Sequence, residues 1–376
     1  MVPRAGDITS PALFLSMAHK DTNREIARCV VRSFRRTRRD MPWRQTKDAY
    51  SIWISEIMLQ QTRVAAVIPY FERWMHSFPT VEALASAELD EVLAHWSGLG
   101  YYSRARNIHK AAKEITLQHE GKVPHTVKEL LRLPGIGRYT AGAISSIAYG
   151  AHEPLVDGNV ARLITRVFEI EQDIKSTVAI KELWRICSEL VPKSAPGDFN
   201  QGLMELGSQV CTPKNPKCTA CPLRVHCRAH ELGRAAELPV VAKRKADKDK
   251  QLLASEAALL LRSGKILLAH RKAEGLFGGL WELPQAPQRT ELSPLTGLTI
   301  AFAKKRPSMV HRQVLSHRRL QIKVWPASAT GRTRLAANSQ YQRLAWHALP
   351  AVSKLGISSA TKTILQQETL IETDRR

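Results

Sequence analysis

Acidic side chains are scarce: the chain carries 34 Asp and Glu against 56 Lys and Arg, for a formal net charge of +22 and a pI near 10.0. That balance is foreign to an enzyme of small metabolites and points to a polyanionic partner, nucleic acid ahead of a membrane surface. Long apolar runs are missing, since no stretch reaches the roughly 18 residues that a transmembrane helix needs. A secretory leader is also missing, because the apolar stretch Pro11 to Ala18 is too short and wrongly flanked, so an intracellular protein is expected. With only six cysteines, of which Cys29 and Cys187 sit alone in apolar helical patterns, a disulfide framework is disfavoured. No internal repeat is present.

A chain of 376 residues can hold two or three domains, each burying its own core. Residues 1–20 lack clear periodicity and read as a loose extension. Apolar residues then recur at three- and four-residue spacing in Ile26–Phe34, Ile52–Ile68, Val81–His95 and Ile180–Leu190, with Pro69, Pro79, Gly98 and Gly100 as punctuation. This predicts a mainly α region over 21–228. Residues 229–251 include the charged run Lys243–Lys250 and read as a linker. Beyond it, Ala257–Leu261 and Ile266–His270 flank Arg-Ser-Gly-Lys and predict a β-hairpin. With a strand-like run at Leu320–Pro326 and a helix near the C-terminus, residues 252–366 read as an α+β domain and 367–376 as a tail.

The other four cysteines, Cys211, Cys218, Cys221 and Cys227, are separated by six, two and five residues. Four thiolates this close in sequence can close on one soft centre with little loop entropy to overcome, which suits a tetrahedral zinc or a cubane iron-sulfur cluster. The stretch Leu131–Gly142, LRLPGIGRYTAG, sets Gly135 and Gly137 between two helical patterns. It reads as a tight αα corner or as a turn that presents bare amide N–H groups to a phosphate. It is not a dinucleotide fingerprint, since no strand precedes it and Thr140 replaces the last glycine. Glu56 sits beside Ile54, Ile57 and Met58 in an apolar helical run, either on a solvent stripe or deliberately buried.

These stretches together resemble one family. The LPGIG turn is similar to the hairpin of the helix-hairpin-helix DNA glycosylase superfamily, and Val156-Asp157-Gly158-Asn159-Val160 resembles its catalytic aspartate segment. The cysteine spacing matches the iron-sulfur loop of the endonuclease III branch. Met41–Arg44, Trp53–Thr62, Gly98–Arg104 and Phe199–Gln201 narrow the resemblance to the MutY-type adenine glycosylases, over roughly residues 23–350.

The resemblance implies a mainly α helix-hairpin-helix glycosylase region joined to an α+β Nudix-like domain. It implies a monofunctional DNA N-glycosylase that removes adenine mispaired with 8-oxoguanine or guanine in double-stranded DNA. Glu56 would be the general acid, its pKa raised by burial so that it protonates N7 of the departing adenine. Asp157, ionised, would stabilise the oxocarbenium ion or bond to the anomeric carbon, by analogy with retaining glycosidases. Asn159 and Tyr139 would hydrogen-bond around Asp157. Tyr139 also stands where bifunctional relatives carry a nucleophilic lysine, hence the monofunctional reading. Gln61 and Tyr101 would insert near the partner base, although Tyr101 and Tyr102 equally suit a buried aromatic pair. Leu59 would lie by the adenine pocket, Trp43 and Arg44 at its mouth, and Gln201 on the adenine edge. Gly135 and Gly137 would meet the DNA backbone. The four cysteines would hold a [4Fe-4S] cluster as a structural clamp, with Lys214, Lys217 and Arg224 turned to phosphates. Ala161 occupies a position where some relatives carry a lysine inessential to the chemistry.

Gly278–Pro284, GGLWELP, resembles the opening of a Nudix fold. A hydrolase would need an acidic Mg²⁺-binding helix next, yet residues 285–305 contain a single acid, Glu291, so hydrolysis is not expected. The domain would instead recognise 8-oxoguanine, with Leu315-Ser316-His317 standing where the family usually has Phe-Ser-His. A cytoplasmic, nucleoid-associated bacterial protein is expected, monomeric, without a membrane partner, and handing its product to an abasic-site endonuclease. Two rivals stand beside this reading. A pyrimidine-specific glycosylase of the same branch is disfavoured by Tyr139 and the extra domain. A non-catalytic DNA-binding protein stapled by zinc is disfavoured by the presence of both Glu56 and Asp157.

Overall fold

A computed structural model describes residues 11–242, 251–315, 318–337, 339–368 and 370. Its first helices are α1 (Pro11–Thr37), α2 (Ala49–Leu59), α3 (Val64–Ser77), α4 (Val81–Ser86), α5 (Leu89–His95) and α6 (Ser103–Gln118). Then follow α7 (Val127–Leu130), α8 (Arg138–Ile147), α9 (Gly158–Phe168), α10 (Thr177–Leu190), α11 (Pro196–Gln209) and α12 (Arg228–Glu231). The strands are β1 (Gln251–Arg262), β2 (Lys265–Arg271), β3 (Trp281–Glu282), β4 (Gln285–Ala286), β5 (Thr299–Phe302), β6 (Met309–Val314), β7 (Arg318–Thr330) and β8 (Tyr341–Ala348). Two helices, α13 (Leu292–Thr296) and α14 (Ser359–Gln367), accompany them.

Many helices start where the sequence supplies a cap. The side chains of Asp48, Thr80, Thr126, Asp157, Ser176 and Ser358 each accept a backbone N–H in the first turn, satisfying a donor that a helix start otherwise leaves bare. Two expected helices are broken. Ile52–Ile68 divides into α2 and α3 because Gln60 leaves helical geometry and Gln61 takes a φ of 58°. Val81–His95 divides into α4 and α5 because Ala87 is extended and Glu88 starts the chain again. Residues 11–20, expected to be loose, are helical and continuous with α1. Pro11 is tolerated at a helix start, and no Gly or Pro follows before Thr37.

The chain divides into two compact units, one from residues up to Val64 with Lys122–Lys243, the other from Ala65–Gly121 with Arg244 onward. The boundaries read from the sequence therefore do not delimit the units, since α3–α6 group with the C-terminal strands. Residues 229–242 are not a linker but part of the first unit. The Ile174 N–H donates to Val240 O at 3.0 Å, the Ala242 N–H to Asp173 Oδ2 at 3.3 Å, and Arg234 pairs with Glu169, Glu171 and Glu237. The charged run 243–250 lies outside the described residues. In the first unit α1 and α8–α11 share a core that includes Val30, Ile164, Leu183, Phe199 and Leu203.

In the second unit the expected hairpin is present. Ser263 and Gly264, at φ 48° and 71°, form the two-residue turn that sets Leu261 opposite Ile266 and Arg262 opposite Lys265. β1 also runs parallel to β7, and the order β3-β2-β1-β7-β5 is extended by β8 on β2, β4 on β1 and β6 on β7. Alternate residues of β1 bury on opposite faces, Ala257 and Leu259 against Trp281 and α14, Ala258 and Leu260 against Leu292 and Leu298. The first α-helix after Pro284 is α13, five residues long and without an acid.

Asp90 fastens α5 to this sheet. Its Oδ2 accepts from Trp281 Nε1 at 3.3 Å and Arg343 Nη2 at 3.4 Å, and Oδ1 lies 3.6 Å from His270 Nε2. These partners, His270 foremost, hold its carboxyl below the ordinary 3.8 although burial opposes them. A depressed carboxyl contributes stability that is present above the unfolded pKa and lost as pH falls through the folded one. Asp90→Ala is therefore expected to destabilise by about 1 kcal/mol at pH about 7, with the gap to the parent narrowing in melts at pH about 3.

Candidate active site

Glu56 lies on α2 among buried Trp53, Ile54, Ile57 and Met58 and is only 5% exposed. Deprived of water, the charged carboxylate is disfavoured, and burial pushes its pKa from 4.5 up to about 7. A hydrogen bond from Tyr139 and the Arg44 charge oppose the rise, and the Asp157 charge adds to it. Tyr139 stands in the first turn of α8, donates its hydroxyl to Glu56 Oε2, and lies 3.3 Å from Met204 Sδ on α11. Burial and the two carboxylates hold the phenol pKa well above its usual value, so it remains a donor.

The turn before α8 positions that tyrosine. The Ile136 N–H donates to Leu133 O at 3.2 Å, and Gly135 adopts a φ of 78°, a left-handed state that glycine enters without strain. Gly137 begins α8, and both glycines are exposed.

Asp157 caps α9. Its Oδ1 accepts the Val160 N–H at 2.7 Å and its Oδ2 accepts Asn159 Nδ2 at 2.9 Å. Burial raises this carboxyl above 3.8, and those donors counter it. Asn159 is itself fixed, since its Oδ1 accepts from Arg162 Nη2 at 3.0 Å, and Arg162 also donates to Gly207 O at 2.6 Å and Cys211 O at 2.8 Å. A Cβ at Gly207 would come within 2.7 Å of Asn159 O, so the close approach of α11 to this corner requires glycine.

Trp43 is buried in the short 3₁₀ turn Pro42–Arg44. Arg44 Nη2 donates to Glu205 Oε2 on α11 at 2.9 Å, and Arg39 grips both oxygens of Glu205 at 2.6 and 2.9 Å. Burial works to raise the Glu205 carboxyl, but the two guanidiniums outweigh it and leave it below its ordinary value. Leu59 ends α2, exposed Gln61 follows it, and Gln201 turns its amide back to Gly197 O at 3.3 Å. Tyr101 belongs to the second unit and is 45% exposed, whereas Tyr102 is buried, so the two do not form a buried pair. Ser316 and His317 lie outside the described residues, and Leu315 donates its N–H to Arg318 O at 2.8 Å. Arg39, Arg162, Met204 and Glu205 are not among the residues that the motifs single out. Glu205 carries the same signal as Glu56, an acid inside an apolar helical run.

Cys211, Cys218, Cys221 and Cys227 are free thiols that line one cavity of about 20 Å³ with Leu163, Arg166 and Val167 of α9. Arg166 is 1% exposed and donates to Cys211 Sγ at 3.2 Å, Thr212 O at 2.8 Å, Pro213 O at 3.2 Å and Leu238 O at 2.8 Å. Burial pushes the Cys221 thiol up to about 11, and the charges of Cys211, Cys227 and Cys218 push the same way. Among the described residues no group of three or more His, Cys, Asp or Glu is placed to hold a metal ion, and no helix is long and apolar enough to cross a membrane.

Residues 54–189 match the HhH-GPD superfamily base excision DNA repair proteins, and residues 256–367 match the NUDIX domain. The adenine DNA glycosylase of Rattus norvegicus is 48% identical over 214 residues, 54% of this chain and 42% of that one. The adenine DNA glycosylase of Homo sapiens is 40% identical over 298 residues, 66% of this chain and 55% of that one. That of Arabidopsis thaliana is 34% identical over 388 residues, 87% and 61% of the two chains. The chain thus spans 42% to 61% of the length of these curated relatives. Among solved structures, a thermostable thymine-DNA glycosylase is 30% identical with a TM-score of 0.53, covering 57% of this chain and 99% of that one. With a Nudix domain joined to its helical region, the chain belongs to the HhH-GPD superfamily of base excision DNA repair proteins.

Proposed function

We propose that the chain is a monofunctional adenine DNA glycosylase of base excision repair, acting on adenine mispaired with 8-oxoguanine or guanine. The observation that carries this reading is Glu56, a buried carboxyl with a pKa of about 7 that feels the charge of Asp157, the cap of α9. Two carboxyl groups whose environments separate their roles are what an acid-assisted glycosidic cleavage requires. Tyr139 occupies one Glu56 oxygen, and the other carries the proton to N7 of adenine. As the bond from C1′ to N9 breaks, the base leaves with its electron pair, and Asp157 faces the positive sugar. Water then adds to C1′, releases a proton and leaves an abasic site. Tyr139, a phenol in place of an amine, forms no Schiff base, so the strand stays intact.

Double-stranded DNA is the partner. Extruding adenine requires a few kcal/mol of unstacking, offset by Gln61 and Tyr101 beside the partner base. Leu59, Trp43, Arg44 and Gln201 line the adenine pocket, while the amides at Gly135 and Gly137 and exposed Lys214, Lys217 and Arg224 meet phosphates. The four cysteines fit a [4Fe-4S] cluster. All four line one cavity beside Arg166 and are thiolate donors of the kind such a cluster takes. That cluster would supply a structural clamp, since base removal transfers no electron. The second domain reads 8-oxoguanine through Leu315, Ser316 and His317 and does not hydrolyse nucleotides. The protein works in the bacterial cytoplasm as a monomer, ahead of an abasic-site endonuclease.

The test is an excision assay on a duplex with adenine opposite 8-oxoguanine, read with and without alkali. Strand breaks that arise only after alkali are expected. Breaks without alkali, or action on oxidised pyrimidines in place of adenine, would favour the pyrimidine-specific rival.

A further inference from the structure

The exposed Tyr101 sits in a left-handed backbone state, φ 49°, directly after Gly100 at 71°. For a residue with a Cβ this state is strained and persists only where the surroundings impose it. Two sets of contacts impose it, both inside the second unit. In the helical segment, Trp96 Nε1 and Arg104 Nη2 donate to Gly100 O at 3.0 and 3.1 Å, Arg104 Nη2 also donates to Leu99 O at 3.1 Å, and the Tyr70 hydroxyl donates to Ser97 O at 2.9 Å. From the C-terminal segment comes a backbone carbonyl, Ile357 O. It accepts the Tyr102 hydroxyl at 3.0 Å and the Ser97 hydroxyl at 3.3 Å.

That acceptor is rigid. Ile357 bridges to Trp281, whose N–H donates to Gly356 O at 2.8 Å, and a Cβ on Gly356 would stand 2.6 Å from that of Leu93. Arg106 adds a further bond to Gly278 O. Ser97 and Tyr102 flank the turn on both sides, so two hydroxyls on one atom fix its ends relative to the β-sheet. Packing alone does not require this, because Ser97 could turn to its own helix end and Tyr102 would fill its pocket as phenylalanine.

We infer that Ser97 and Tyr102 are positioning residues through which the C-terminal domain, at the Ile357 carbonyl, sets the backbone of Tyr101 and thereby the discrimination between bases opposite adenine. The inference rests on the proposed place of Tyr101 beside that base. Single-turnover excision of adenine opposite 8-oxoguanine and opposite guanine tests it in the wild type, Tyr102→Phe and Ser97→Ala. The ratio of the two rates is expected to fall about fivefold in Tyr102→Phe, as loss of one hydrogen bond allows, and by less in Ser97→Ala, with adenine opposite guanine excised at the parent rate. An unchanged ratio in both variants, or an equal loss on both duplexes, overturns the inference. A wild type inert on both duplexes overturns the functional reading and the inference with it.

Discussion

Glu56→Gln is expected to lower adenine release by about a thousandfold or more while duplex binding persists, since general acid catalysis is typically worth about 10²–10⁴ and an amide has no proton to give. The amide keeps the shape of the side chain and an oxygen for the Tyr139 hydroxyl, so the pocket stays assembled. Stability should move the other way. The folded carboxyl binds its proton more tightly than the unfolded one, so the native state is favoured below about 4.5 and loses that advantage as pH rises towards about 7. The rise from 4.5 to about 7 is equivalent to on the order of 3 kcal/mol. Glu56→Gln, which never charges, is therefore expected to melt higher than the parent at pH about 8 and to match it at pH about 4. Substantial single-turnover activity in the variant removes Glu56 from the acid role. Equal melting temperatures at high pH remove the buried charge.

Arg166→Ala carries the second large effect, on the fold. The guanidinium is buried, and its loss strands two buried acceptors, the Leu238 carbonyl and the Cys211 sulfur, and frees the Thr212 and Pro213 carbonyls nearer solvent. Each unsatisfied buried acceptor costs about 1–3 kcal/mol, so the two together are expected to destabilise by on the order of 4 kcal/mol, with loss of visible absorbance where the proposed cluster is bound. Arg166→Lys should recover less than half of this, because one ammonium cannot reach all the acceptors that the planar fork spans. A variant within about 1 kcal/mol of the parent in chemical denaturation would show that the loop holds itself together.

Much of the local geometry around the candidate site is legible in the sequence because its signals are local. Asp157 is an N-cap three residues before the N–H that it accepts, the Gly135 turn needs a residue free to take positive φ, and Ser263-Gly264 announces its hairpin. Glu56 is conspicuous as an acid with apolar neighbours. The rest depends on partners distant in sequence. Arg39 and Arg44 meet Glu205 across 166 and 161 residues, and Arg162 reaches Cys211 across 49. No periodicity encodes such pairs. The grouping of residues 65–121 with the C-terminal sheet is hidden for the same reason, being built from contacts such as Tyr102 to Ile357. The break between α2 and α3 is hidden differently: Gln61 takes a left-handed state without a glycine to mark it.

The central claim is that a buried, protonated Glu56 delivers the proton that releases adenine. The pH dependence of single-turnover excision from an adenine opposite 8-oxoguanine duplex tests it most directly. The rate is predicted to follow the protonated fraction of Glu56, falling about tenfold per unit once pH exceeds about 7. A rate that holds level or rises up to pH about 9 would contradict the account, because a carboxylate already stripped of its proton would then be performing the step assigned to the acid.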